Sequence, residues 1–177
     1  RILAKVKNSI LLIYTDDEVA KKNLSKEISL RGINSNRLIF ASRFKRPEYL
    51  ARFRVADLFL DTQPCNAGTT ASDALRMGLP MLTLKGEAYQ ARMGASIVNA
   101  LNLPELITNS PEEYESLAIE LATNPEKMKV IKDKLASNLS TAPLYDTKLF
   151  TKNLESAYTQ MYEKYHNGLE PDHIYVE

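Results

Sequence analysis

The chain has 177 residues, 44% of them hydrophobic, and a formal net charge of +1. That is enough apolar material for one buried core with an appendage, and too little basic excess for a general nucleic-acid binder. The single cysteine, Cys65, cannot form an internal disulfide, and no Cys/His cluster has metal-ligand spacing, so a reducing, cytoplasmic compartment and no bound metal are expected. No apolar run approaches the ~20 residues that span a bilayer, so no membrane partner is expected. Arg1, Ile2, Leu3 and Val6 look like the middle of a helix, and the chain reads as a fragment of a longer protein.

In chain order, Ser9 to Thr15 (SILLIYT) is a β-branched and aliphatic run that predicts a central strand, ended by Asp16 and Asp17. Residues 17 to 31 predict a helix with an approximate apolar stripe at Val19, Leu24, Ile28 and Leu30, closed by Gly32. Arg37 to Ser42 (RLIFAS) is the next strand, and Pro47 begins a helix carrying Tyr49, Leu50, Phe53 and Val55. Leu58 to Leu60 predicts a short strand. Pro80 to Leu84 (PMLTL) predicts another, followed by a helix over about 88 to 101 whose small residues suggest close packing. Leu106-Ile107 is a candidate edge strand, and Ser110 and Asn124 each precede proline as helix caps. Asp146 starts a last helix in which Phe150, Leu154, Tyr158, Met161 and Tyr165 form a stripe read as packing. The tail from Gly168 reads as irregular.

Strands alternating with helices predict an α/β fold with a doubly wound parallel sheet, in which ligands gather at the carboxyl ends of the strands. The stretch 57 to 78, DLFLDTQPCNAGTTASDALRMG, organises the rest. A strand, a turn with Pro64, Asn66 and Gly68, and a helix starting at Thr69 and closed by Gly78 make an anion cradle. Free N–H groups and the positive end of the macrodipole face outward there, and Thr69 and Thr70 add hydroxyl donors. Asp73 lies one turn behind Thr69, within reach of a ribose whose phosphates sit at the threonines. Thr as an N-cap and Asp in a first turn also stabilise any helix, so both readings stand at this point.

LFLDT, NAGTTASDAL, GLPMLTLKGE and LPELI, in this order and spacing, resemble the C-terminal half of the catalytic region of O-linked N-acetylglucosamine transferases and SPINDLY-type glycosyltransferases, in a bacterial member. The resemblance runs from about Ser9 to His173. It implies a Rossmann-like C-terminal lobe of a GT-B glycosyltransferase with extra C-terminal helices: residues 1–140 as the nucleotide-sugar-binding lobe, and 141–177 as a helix and tail packing back on it or on an N-terminal lobe. It also implies a cytoplasmic parent with tetratricopeptide repeats, a UDP-sugar donor (UDP-GlcNAc), no metal or other cofactor, and a protein Ser or Thr acceptor reached through the other lobe.

Residue by residue, the family's diphosphate loop reads His-Thr-Thr where this chain has Gly68-Thr69-Thr70, so the threonines are kept and the imidazole is not. Asp73 matches the family's ribose-holding aspartate. In FASRFKRPEYLARF, the Phe44 backbone stands where the family meets the uracil edge, Arg46 at its lysine near the ribose, Tyr49 at its base-stacking histidine, and Arg52 at its arginine. Tyrosine keeps a flat stacking face, whereas arginine for lysine keeps charge and changes geometry. Taken without the resemblance, Arg46 and Arg52 read as a solvated helix face and Tyr49 as half-buried core. No catalytic residue is assigned to this stretch, so it is expected to bind nucleotide and transfer nothing alone. Three other readings are a GDP-fucose donor, a phosphoacceptor receiver module suggested by Asp16, Asp17 and Asp61, and a non-catalytic Rossmann-like interaction domain. Against the receiver, Thr83 and Lys85 share one strand where such a module needs them after two.

Overall fold

A computed structural model of the chain describes residues 1–176. A short helix α1 (Ile2–Lys5) leads to strand β1 (Leu11–Tyr14). Helix α2 (Glu18–Leu30) starts where the Asp17 carboxylate accepts from the Val19 and Ala20 amides at 2.8 and 3.2 Å, and stops before Gly32 at φ 74°. Strand β2 (Leu38–Ala41) lies parallel to β1, Leu11 against Leu38. Arg37 ties the entrance of this pair together, donating to the Ser9 and Val6 carbonyls at 2.7 and 2.8 Å. Helix α3 (Arg46–Arg52) follows and tightens into a 3₁₀ turn at Phe53–Val55.

The second half of the sheet structure is strand β3 (Phe59–Leu60), helix α4 (Thr69–Arg76), strand β4 (Met81–Leu84), helix α5 (Met93–Ala100) and strand β5 (Ile107–Thr108). Gly78, at φ 83°, supplies the left-handed residue that ends α4. β3, β4 and β5 are parallel neighbours in that order. Met81 and Leu82 point to opposite faces of β4, and both are fully buried, so this strand is covered on both sides as a parallel strand between helix layers must be. Its neighbours in the core are Ala71 and Leu75 of α4, Val98 of α5, and Leu121, Ile131 and Leu135. The last three come from helices α6 (Pro111–Thr123) and α7 (Pro125–Leu139). As their sequences predict, Ser110 caps α6 by accepting from the Glu113 amide at 3.1 Å, and Asn124 caps α7 by accepting from Lys127 at 3.0 Å. Helix α8 (Thr147–His166) is capped by Asp146.

The alternation of parallel strands and helices is the α/β, Rossmann-like arrangement expected, with three departures in detail. The ladders fall into two parallel sheets among the described residues, β1-β2 and β3-β4-β5; β3 is only two residues long, held by the Phe59 amide on Pro80 O just before β4, at 2.8 Å, and by the amide of Asp61, just after β3, on Leu82 O of β4 at 3.0 Å. The helix expected over 88 to 101 opens with a separate 3₁₀ turn, Tyr89–Ala91, because the Gly86 amide bonds the Ala91 carbonyl at 2.8 Å and folds that turn back. The α8 stripe read as packing is exposed in this chain: Phe150 is 65% and Tyr165 79% accessible, and no α8 residue is buried among those described. No described helix is long and apolar enough to cross a membrane.

Candidate functional site

The loop 61–68 enters α4 at Gly68, which caps the helix with no side chain, so the first amides of α4 meet no capping group among the described residues. Thr69 and Thr70 are exposed at that end, while Ala71, Asp73 and Ala74 are buried. Glycine is not demanded at 68. Its φ is −103°, and an added Cβ would find only Met93 Cγ at 3.9 Å, so the space for a larger side chain is open.

The start of α3 faces the start of α4. Arg46 donates through both terminal nitrogens to Asp73, Nη1 to Oδ2 at 2.8 Å and Nη2 to Oδ1 at 2.7 Å, a fork-to-carboxylate pair. The arginine side chain is 62% exposed and the aspartate 11%. This contact engages both carboxylate oxygens expected to hold a ribose. Tyr49 lies beside the pair: Arg46 is 5.5 Å from its ring centroid, and its hydroxyl neighbours Thr70 and Asp73. Burial and the Asp73 charge push the Tyr49 phenol upward, while Thr70 and Arg46 pull it down. Its ring stands edge-on to Phe53 at 5.2 Å. Arg46, Tyr49, Thr70 and Asp73 therefore form one cluster.

Arg52 sits among three rings, 5.3 Å from the centroid of Tyr49, 5.7 Å from Phe44 and 5.9 Å from Tyr14. It also donates to the Ser42 carbonyl at 3.3 Å. Tyr14, at the carboxyl end of β1, is an aromatic neighbour that sequence reasoning missed; within SILLIYT it is indistinguishable from a strand residue. Phe44 and Tyr14 are exposed and Tyr49 is half-buried against Phe53, so the three rings around one guanidinium make a partly open set of flat apolar faces at a strand edge. A cavity of about 330 Å³ between the end of α7 and the start of α8, lined by Leu139, Tyr145, Asp146 and Lys148, contains none of these residues.

Beneath the loop lies a polar network. Asp61, 6% exposed, accepts from the Thr62 and Ala67 amides at 2.9 and 2.8 Å on one oxygen and from the Thr83 hydroxyl at 2.7 Å on the other. Asn66 donates to the Thr62 carbonyl at 2.9 Å, and Tyr114 donates to the Asp61 carbonyl at 2.9 Å. The sequence carries one signal of this: Thr83 is a hydroxyl inside the apolar run PMLTL, a residue that needs a partner once buried. Among the described residues no group of three or more acidic, histidine or cysteine side chains is placed to hold a metal.

A model of Glycosyl transferase family 41 matches residues 1–154. The chain is 34% identical over 176 residues to the probable UDP-N-acetylglucosamine-peptide N-acetylglucosaminyltransferase SEC of Arabidopsis thaliana, covering 99% of this chain and 18% of that protein. It is 31% identical over 174 residues to the UDP-N-acetylglucosamine-peptide N-acetylglucosaminyltransferase of Caenorhabditis elegans, covering 98% and 15% respectively. A solved mutant of the Thermobaculum terrenum O-GlcNAc transferase superposes with a TM-score of 0.83 at 30% identity, over 90% of this chain and 31% of that one. The chain thus spans less than a fifth of the length of these two curated relatives. Since the family model takes in both the α3 segment and the α4 cradle, the chain belongs to glycosyl transferase family 41.

Proposed function

We propose that this chain is the donor-binding lobe of a protein O-glycosyltransferase that takes UDP-GlcNAc and glycosylates Ser or Thr. The observation that carries the reading is the juxtaposition of the uncapped α4 start with Arg46, Tyr49 and Asp73. A diphosphate at Thr69 and Thr70 meets free amides, hydroxyls and the helix dipole. Tyr49 offers a face for the base, and the Phe44 backbone meets the base edge. Asp73 faces the ribose, whose hydroxyls compete with Arg46 for the carboxylate's lone pairs. A carboxylate has about four lone-pair sites, and Arg46 is exposed enough to swing onto the departing diphosphate, where a fixed positive group stabilises developing charge. That source of charge supports a metal-independent transfer.

Residues 1–140 form the nucleotide-sugar lobe in this reading. Residues 141–177 dock on the remainder of a longer cytoplasmic protein, an N-terminal lobe and repeat region, using the exposed α8 stripe. The acceptor and the acid-base groups belong to that remainder. Calorimetric titration of the chain with UDP, GDP and uridine tests the donor: UDP binding at one site more tightly than both is expected. GDP binding more tightly than UDP would move the donor to the GDP-fucose type, and no binding of either diphosphate would leave an interaction domain.

A further inference from the structure

The buried carboxylate under the loop has no part in the donor contacts above, and its placement gives it one. Asp61 closes the stretch 61–67 into a ring: Oδ1 takes the Ala67 amide, the residue immediately before the Gly68 cap, together with the Thr62 amide. Oδ2 is fixed to β4 through Thr83, whose own carbonyl accepts from Thr108 of β5 at 2.9 Å. Helix α5 seals the other side. A Cβ on Gly94 would collide with Asp61 Oδ2 and Thr83 Oγ1, and the Gly94 amide donates to Asn66 at 3.3 Å. The Asn66 amide in turn bonds the Gln90 carbonyl at 2.9 Å.

We infer that Asp61 is a positioning residue for the diphosphate: by holding Ala67 against the sheet, it sets the direction in which the first amides of α4 point. The inference rests on the nucleotide reading. It makes a sign prediction, because a buried negative charge beside an anion site repels the anion. If Asp61 acted through its charge, removing it would tighten diphosphate binding; acting through geometry, its removal weakens it. Asn preserves one acceptor oxygen for both amides and can meet Thr83 with its NH₂, so it is the conservative replacement.

The test is calorimetric titration of the parent chain, Asp61→Ala, Asp61→Asn and Thr83→Val with UDP and with uridine, each variant first shown to be folded by circular dichroism. Asp61→Ala is expected to bind UDP about tenfold more weakly, the scale of one misaligned charge-assisted hydrogen bond, with uridine within about twofold, since the base cluster on α3 does not touch the loop network. Asp61→Asn is expected within about threefold of the parent for both ligands. Thr83→Val, nearly isosteric, loosens the carboxylate and is expected to weaken UDP about threefold with uridine unchanged. Should Asp61→Ala fail to fold, Thr83→Val and Asp61→Asn decide. UDP affinity equal to or above the parent's in Asp61→Ala, or in Thr83→Val when Asp61→Ala does not fold, overturns the inference, as do an equal loss of uridine and an Asp61→Asn variant that weakens UDP tenfold. A parent that binds no UDP sinks the nucleotide reading itself, a separate failure.

Discussion

Tyr114→Phe perturbs the loop network with the least disturbance of packing. The ring stays, and the single hydroxyl donated to the Asp61 carbonyl at 2.9 Å is lost. A typical net hydrogen bond is worth about 1 kcal/mol, which for a chain of this size lowers Tm by roughly 2–4 °C. The same hydroxyl has a second signature. Burial first, and the nearby Asp61 charge second, push the Tyr114 phenol well above its ordinary value near 10. In the unfolded chain it ionises normally, so above pH 10 the unfolded state binds fewer protons than the native one and stability falls as pH rises. This residue then contributes a loss approaching about 1.4 kcal/mol per pH unit. Its contribution is fully present below pH 10. Urea unfolding of parent and variant at pH 8 and at intervals from 10 to 11.5 reads both effects. At pH 8 the variant should be less stable by about 1 kcal/mol. Above pH 10 the parent alone carries the Tyr114 penalty, so the gap should close and reverse by roughly pH 11. A gap that stays constant across the whole range would show that the hydroxyl is not held in a buried site, and the network argument would fail with it.

The other expectations concern the cluster itself. Asp73→Ala should weaken UDP by roughly 1–3 kcal/mol, the scale of a lost hydrogen bond to a charged group, while circular dichroism stays native; equal affinity by calorimetry would remove Asp73 from the ribose. Tyr49→Ala should cost roughly 1–3 kcal/mol of base stacking, and Tyr49→Phe should recover most of it in the same titration; a Phe variant as weak as Ala would show that the hydroxyl beside Thr70, and not the ring, does the binding. Gly68→His should fold normally, since neither φ nor a nearby atom objects, and should tighten UDP by about 1 kcal/mol through an added donor; a variant that unfolds or binds more weakly would show that the cradle needs a bare cap.

Much of this architecture is legible in the sequence because its signals are local. Ser110, Asn124 and Asp146 each announce a helix start that their side chains make, and Gly32 and Gly78 each take the positive φ that ends a helix. Of the candidate site, what is legible in sequence is the placement of residues on one element, as with Thr69, Thr70 and Asp73 on α4. What sequence could not supply were contacts between elements. The Arg46 fork on Asp73 joins residues 27 positions apart, and Tyr14 of β1 meets Arg52 of α3. Asp61 directly follows the short strand that Leu58 to Leu60 predicts, but its partner Thr83 is 22 residues on, and no periodicity reports a hydrogen bond between side chains of two segments. The α8 stripe is the opposite case. Its spacing signals an apolar face correctly, yet spacing cannot say whether the covering surface belongs to the same stretch of chain.

The most direct test of the donor-lobe account is a structure of this chain with UDP. The account places the diphosphate on the amides and hydroxyls of Thr69 and Thr70, the ribose at Asp73 with Arg46 moved off the carboxylate, and the uracil against Tyr49 and the Phe44 backbone. UDP found instead in the cavity between α7 and α8, or at the α4 start with its base turned away from α3, would contradict it.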